Sequence, residues 1–143
     1  MGASVCGYWL GITEDQRDSM PGFWNDDRAF GNWMANREEQ PDVLAMVRSL
    51  GCGAVLTYTT EGLADDDVDW VTPADLKAAA LALRELVERQ DPRTRVILDS
   101  YAKDANGIDP VHAELARDLA DVVTIADYAA GEGATRMTLE VNW

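Results

Sequence analysis

The stretch WVTPADLKAAALALRELVERQDP, residues 70–92, decides the fold because it holds the clearest helix signal in the chain. Thr72 is suited to cap a helix, and Pro73 fits the first helical position. Asp75 places a negative charge at the positive end of the helix dipole. The pattern predicts an amphipathic helix from Pro73 to about Asp91. Its apolar face comprises Leu76, Ala79, Ala80, Leu83, Leu86 and Val87.

Two other stretches show the same periodicity. One starts at Pro41 and stops at Gly51, a residue suited to the left-handed conformation that ends many helices. The other starts at Asp109 with a proline next to it, as in the 70–92 stretch, and is closed by Gly131 and Gly133. Both stretches are therefore predicted to be helices.

The remaining segments suggest strands and connections. Residues 3–12 and 52–59 are apolar runs rich in strand-forming residues, and 135–143 alternate apolar with polar side chains. Residues 14–40 are broken by proline and glycine and predict a long connection with short helical turns. Residues 93–105 fit both a strand and a helix, and we favour the helix.

Alternation near the C-terminus is typical of a strand with one buried and one wet face, which usually belongs to an antiparallel sheet. The sequence therefore predicts one domain, residues 1–143, of the α+β class. Its expected architecture has two layers: a three- to four-stranded, mostly antiparallel sheet, with three to four helices packed on one face.

The formal net charge of −14 is the strongest global property of the chain. Residues 1–72 carry 13 acidic and 4 basic side chains, so the excess is concentrated in the first half. Such a field repels nucleic acid and anionic membranes and attracts basic partners. We find no apolar run long enough to span a membrane and no signal peptide, so we expect a soluble, cytoplasmic protein.

The acidic run before the 70–92 helix does not fit a calcium-binding loop. Asp65, Asp67 and Asp69 occupy the first ligand positions of such a loop, but Trp70 stands where glycine is needed. Leu76 stands where the bidentate glutamate belongs. We therefore exclude a calcium-binding loop of this type and predict no metal site. Weak cation binding by the acidic cluster and a solvated acidic loop that leads into the helix cap are the two alternatives.

Catalytic motifs are also missing. His112 is the only histidine and is interpreted as a surface residue in the first turn of a helix. Cys6 and Cys52 are interpreted as reduced core residues, and no phosphate-binding or dinucleotide-binding loop is present. We predict no catalytic residue and no cofactor.

The tryptophans give more information about function than the search for catalytic motifs does. Five occur in 143 residues, and several lie within or beside acidic stretches. Aromatic rings can anchor a partner while carboxylates steer and pair with its basic groups. The alternative is that these rings cover an open edge of the core. The candidate partner-binding residues are Trp24, Asp26, Asp27, Trp33, Asp65, Asp66, Asp67, Asp69 and Trp70.

The helix start WVTPAD, residues 70–75, and the C-terminal stretch ADYAAGEGATRMTLEVNW, residues 126–143, resemble small, acidic, uncharacterised bacterial α+β families. Some of these families are thought to supply immunity proteins of polymorphic toxin systems. The resemblance covers about a third of the chain. It implies a bacterial protein. The use of 10 arginines against 2 lysines suggests a genome of high GC content.

Three functions remain open at this level. The first is a non-enzymatic acidic interaction protein, such as an immunity protein or inhibitor that occludes a basic toxin or enzyme surface. The second is a small enzyme or ligand-binding domain with a carboxylate- and tryptophan-lined pocket near Trp9, Tyr58 and Trp70. The third is an accessory domain with no basic partner, in which acidity serves solubility alone.

Overall fold

The computed structural model describes residues 8–10, 41–60, 70–102 and 108–141, with side chains for 41–57, 70–99 and 112–139. The helices of these residues are α1 (Pro41–Ser49), α2 (Pro73–Glu88), α3 (Arg95–Ala102) and α4 (Ile108–Gly131). The strands are β1 (Tyr8–Leu10), β2 (Tyr58–Thr60) and β3 (Leu139–Val141). Two 3-10 turns occupy Gly53–Leu56 and Pro92–Thr94.

Helix α2 begins where the sequence predicts. The Thr72 side-chain oxygen accepts a hydrogen bond from the Asp75 backbone N–H at 3.1 Å, and Pro73 is the first helical residue. This bond satisfies one of the N–H groups that a helix start leaves without an intrahelical partner. Leu76 and Leu83 are fully buried, which confirms the predicted apolar face.

Helices α2 and α4 form the most extensive interface between the described elements. They run antiparallel, because Lys77 Nζ lies 2.7 Å from Asp127 Oδ1 at one end and His112 contacts the Glu88 carbonyl at the other. Both helices turn an apolar face to this interface. The core that they share is completed by buried residues of the neighbouring elements, among them Val43, Val47, Ile97, Leu98, Met137 and Leu139.

Three of the helices end in the same backbone motif, in which the chain reverses through a left-handed residue. Gly51 after α1 and Gly133 after α4 have φ angles of 76° and 80°. In each case this residue and the next one donate to carbonyls of the last helical turn. These are Schellman motifs, which confirm the predicted stops at Gly51 and Gly133. Gly131, also predicted as a stop, is the last residue of α4.

The corresponding residue after α2 is Gln90, with a φ of 52°. All of the last four α2 carbonyls nevertheless accept hydrogen bonds. The donors are the backbone N–H groups of Arg89, Gln90 and Asp91, at 3.0 Å each, and the His112 ring, at 3.2 Å. A carbonyl only accepts, so His112 Nε2 carries the hydrogen of the last bond.

The Gln90→Gly substitution is expected to stabilise the protein by about 0.5–1 kcal/mol. The left-handed conformation costs a residue with a Cβ about 1–2 kcal/mol, and the greater freedom of glycine in the unfolded chain offsets part of that gain. Urea unfolding measures the change. Gly133→Ala, at the equivalent position after α4, should have the opposite sign, and a Gln90→Gly variant less stable than the parent would contradict this account.

A small sheet forms around the C-terminal strand β3. Its strand order is β1-β3-β2, with β1 antiparallel and β2 parallel to β3. Val71 makes an isolated antiparallel bridge to Met137, just before β3. Three other parts of the chain therefore align with the C-terminal segment 137–141.

The predicted α+β fold class is wrong. Helices hold most of the described residues, and the strands are only three residues long each. The pairing also departs from the mostly antiparallel sheet, since β2 is parallel to β3. The described part of the chain is mainly helical. The predicted connection over 14–40 lies outside the described residues.

Two of the predicted strands were assigned too long. The 52–59 run instead forms a 3-10 turn, which buries Val55 and Leu56, before the short strand β2. A short apolar run fits a buried turn as well as a strand, and here packing next to α2 favours the turn. The alternation in 135–143 also misleads, because Thr138, expected on a wet face, is fully buried.

Candidate functional site

Trp70 occupies a fixed junction between the acidic run and α2. Its neighbour Val71 exchanges two backbone hydrogen bonds with Met137, with N···O distances of 2.8 and 2.7 Å. On the other side, Thr72 caps α2. The Trp70 backbone is thus held between a β-bridge and a helix cap, and its side chain is half-buried.

The Trp70 ring faces a cation. The Arg136 guanidinium carbon lies 4.6 Å from the ring centroid, within the range of a cation–π interaction. Arg136 is exposed. Because Arg136 and Trp70 each precede a residue of the Val71–Met137 bridge, the bridge brings the two side chains together. We call Trp70, Val71, Arg136 and Met137 the Trp70 corner.

Both ends of the acidic run are attached to the C-terminal segment. Thr60, the last residue of β2, aligns with Val141, and Val71 aligns with Met137. These two positions on the C-terminal segment are four residues apart, a distance of roughly 13 Å at the rise of a strand. By sequence, residues 61–69 carry five acidic side chains and no basic one. The Trp70 corner therefore adjoins the most acidic stretch of the chain.

Of the predicted partner-binding residues, Trp70 is the one that the structure describes. The others lie outside the described residues: Trp24, Asp26, Asp27, Trp33, Asp65, Asp66, Asp67 and Asp69. The backbone also aligns Trp9 with Glu140 and Tyr58 with Leu139. The segments carrying Trp9, Tyr58 and Trp70 thus meet at the C-terminal segment, although the side chains of the first two are not among those described.

Several charges on the described helices and at the corner between α2 and α3 are paired with one another. Five basic side chains lie within 4 Å of a carboxylate, and three of these pairs join residues four apart on one helix. Exposed pairs of this kind contribute little stability. Helix α4 nevertheless keeps an acidic excess, with five Asp or Glu residues and one Arg in its sequence. The pairs are Lys77–Asp127, Arg84–Glu88, Arg89–Glu85, Arg93–Asp91 and Arg95–Asp99, and Arg89 also lies 3.9 Å from Asp91.

Asp91 organises the corner between α2 and α3. Its Oδ1 accepts from the Arg93 backbone N–H at 2.9 Å and from Arg93 Nε at 3.0 Å, and its Oδ2 accepts from Nη2 at 3.1 Å. The side-chain hydrogen bonds from Arg93, followed by the backbone one, lower the pKa of Asp91 from 3.8 to about 2. The ionised form is favoured because only the carboxylate can accept all of these bonds.

This lowered pKa predicts an acid-dependent contribution of Asp91 to stability. The contribution is complete above pH 3.8, the ordinary pKa, and is lost as pH falls toward about 2. The stability difference between the parent and Asp91→Asn should therefore shrink over that window, as measured by urea unfolding at a series of pH values. Arg93→Gln should remove the same pH-dependent part, and a difference constant from pH 5 to pH 2 would contradict the assignment.

Two surface recesses bear on the ligand-binding alternative. Among the described residues that line a cleft of about 340 Å³ at the α2–α3 corner, Asp91 supplies the one carboxylate. The described residues that line a groove of about 490 Å³ beside α2 are mainly alanines and Val71, with a carboxylate from Asp75. Within this described lining, neither recess brings together the two carboxylates that paired acid and base catalysis requires.

The structure also describes Cys52 and His112, the two remaining residues that the sequence analysis considered for chemistry. Cys52 is buried, and burial raises the pKa of its thiol, which disfavours the reactive thiolate. His112 completes the hydrogen bonding at the end of α2. Among the residues that the structure describes, no group of three His, Cys, Asp or Glu side chains could hold a metal ion.

No protein-family model, curated protein or solved structure matches this chain. Within the described ranges, no helix combines the length and the hydropathy that crossing a bilayer requires. The interpretation of the site therefore depends on its own geometry.

Sequence reasoning missed two residues. Arg136 was assigned to the wet face of a strand, and nothing local in the sequence links it to a ring 66 positions earlier. Asp118 lies within the apolar stripe of α4 and is fully buried, where it interacts with other groups of the protein. Its position at helical spacing between Leu115 and Val122 was the available signal.

Proposed function

We propose that this protein is a non-enzymatic acidic interaction protein that binds a basic partner through the Trp70 corner and the adjoining acidic run. In this proposal it acts as an immunity protein or inhibitor, covering the basic surface of a toxin or enzyme. Occlusion needs no catalytic residue on the inhibitor. It needs an aromatic anchor, an acidic surface and a fixed backbone.

The observation that carries the proposal is the guanidinium over Trp70. An arginine of the same chain already stacks on this ring at 4.6 Å, so the ring geometry suits a cation. The residue directly follows five acidic side chains within residues 61–69. Stacking and carboxylate pairing together are the two contacts that an arginine side chain makes best.

The distribution of charge also supports this location. Helices α2 and α3 carry ion pairs between residues four apart, whereas residues 61–69 hold five acidic side chains and no basic one. A net charge of −14 concentrated in part of the chain attracts a basic partner over distances near the Debye length, about 8 Å at physiological salt.

Affinity capture tests the proposal. The protein is immobilised and exposed to a lysate of the cells that encode it, and bound proteins are eluted stepwise with salt and identified by mass spectrometry. A second bait, with Asp65, Asp66 and Asp67 each changed to Lys, serves as the control. A basic protein retained by the parent, released by salt and lost from the control bait is expected. Equal recovery on both baits would count against the proposal.

A further inference from the structure

Arg136 differs from most arginines of the described helices in what it contacts. Arg84, Arg93 and Arg95 each place Nε about 3 Å from a carboxylate oxygen. Arg136 instead stacks on Trp70, and it makes no ion pair with any residue that the structure describes. In a protein of net charge −14, this exposed guanidinium thus contacts an aromatic ring and not a carboxylate of the described residues.

The backbone makes this stack easy to maintain. Val71 and Met137 are joined by two short hydrogen bonds, and each is adjacent in sequence to one member of the stack. Arg136 therefore stays close to the ring without the loss of translational freedom that an external ligand incurs on binding. An outside cation would have to compete with it for that ring face.

We propose that Arg136 is an internal placeholder for an arginine of the partner, and that Arg136 leaves the Trp70 ring when the partner binds. This inference rests on the proposed function and names the chemistry of the partner: a protein presenting an arginine side chain to the Trp70 corner. Arginine is favoured over lysine because its planar guanidinium stacks on an aromatic face, whereas the ammonium group is compact and strongly hydrated.

The inference can be tested with a defined probe, a fluorescently labelled hexa-arginine peptide, by anisotropy titration at low ionic strength. Arg136→Gln removes the competing guanidinium together with one positive charge. Arg117→Gln is the matched control. Arg117 lies on α4, is exposed like Arg136, and makes no ion pair with a residue that the structure describes. Any gain due to net charge alone is therefore shared by both variants.

Arg136→Gln is expected to bind hexa-arginine about two- to fivefold more tightly than Arg117→Gln, the ratio expected from an exposed cation–π contact. The excess should be smaller for hexa-lysine and should vanish when Trp70→Leu is present in both variants. Circular dichroism spectra verify that each variant is folded.

The contrary outcomes differ in what they overturn. Equal binding by the two variants would overturn the placeholder role while leaving the acidic binding surface in place. Binding that persists but does not respond to Trp70→Leu would do the same. If the parent and both variants fail to bind hexa-arginine at all, the proposed function and the placeholder role fall together.

Discussion

Leu83→Ala is expected to destabilise the protein by about 2–5 kcal/mol. Leu83 is fully buried on α2, within the core that α2 and α4 share. The substitution removes three buried carbon atoms and leaves a cavity that the packed helices can fill only in part. Since domains of this size are stable by about 5–15 kcal/mol in total, the loss should be visible as a large fall in the urea midpoint.

Leu81→Ala is the matched control for this experiment. Leu81 lies two residues earlier on the same helix but is 41% exposed. Both substitutions change helix propensity equally, so the difference between them isolates burial. Leu81→Ala should cost less than about 1 kcal/mol. Equal losses at the two positions would show that α2 does not present the described face to the core.

The helices were the part of the fold that local sequence signals could predict. The threonine cap and proline of α2 act within one helical turn, as do the glycines that follow α1 and α4. Such signals need no knowledge of the remaining chain, which is why they were assigned correctly. Gln90 is instructive, because α2 ends in the same motif without the glycine that would have signalled it.

The predictions of the strands were wrong for a different reason. An apolar run of a few residues becomes a strand only where a neighbouring strand pairs with it, and that neighbour is distant in sequence. Val55 and Leu56 have the composition of a strand, but they are buried in a 3-10 turn. Of the described residues 135–141 near the C-terminus, Leu139–Val141 form a strand, although the alternation of the sequence begins at residue 135.

Dependence on residues that are distant in sequence also limited what could be predicted of the site. Trp70 was identified because an unusual aromatic residue next to aspartates is visible in the sequence. Arg136 was not, because its contact with Trp70 depends on the bridge between Val71 and Met137. Sequence patterns can indicate which residue would anchor a partner. They do not show which residue of the same chain already occupies its ring.

Reversal of Asp65, Asp66 and Asp67 to Lys should slow association with a basic partner by at least about tenfold at low ionic strength. The dissociation rate should change less, because long-range steering acts mainly on the encounter of the two molecules. Stopped-flow fluorescence with the labelled hexa-arginine peptide measures both rates. The difference from the parent should decrease as salt is raised, since screening weakens exposed charges.

A control for net charge decides whether the location of the charge matters. Asp42, Asp99 and Glu114 lie on α1, α3 and α4, and their reversal to Lys changes the net charge of the protein equally. If the acidic run forms the binding surface, this second triple variant should retain most of the parent's association rate. If both variants slow association equally, steering comes from the whole protein and not from residues 65–67. An unchanged rate in the first variant would contradict an acidic binding surface at this run altogether.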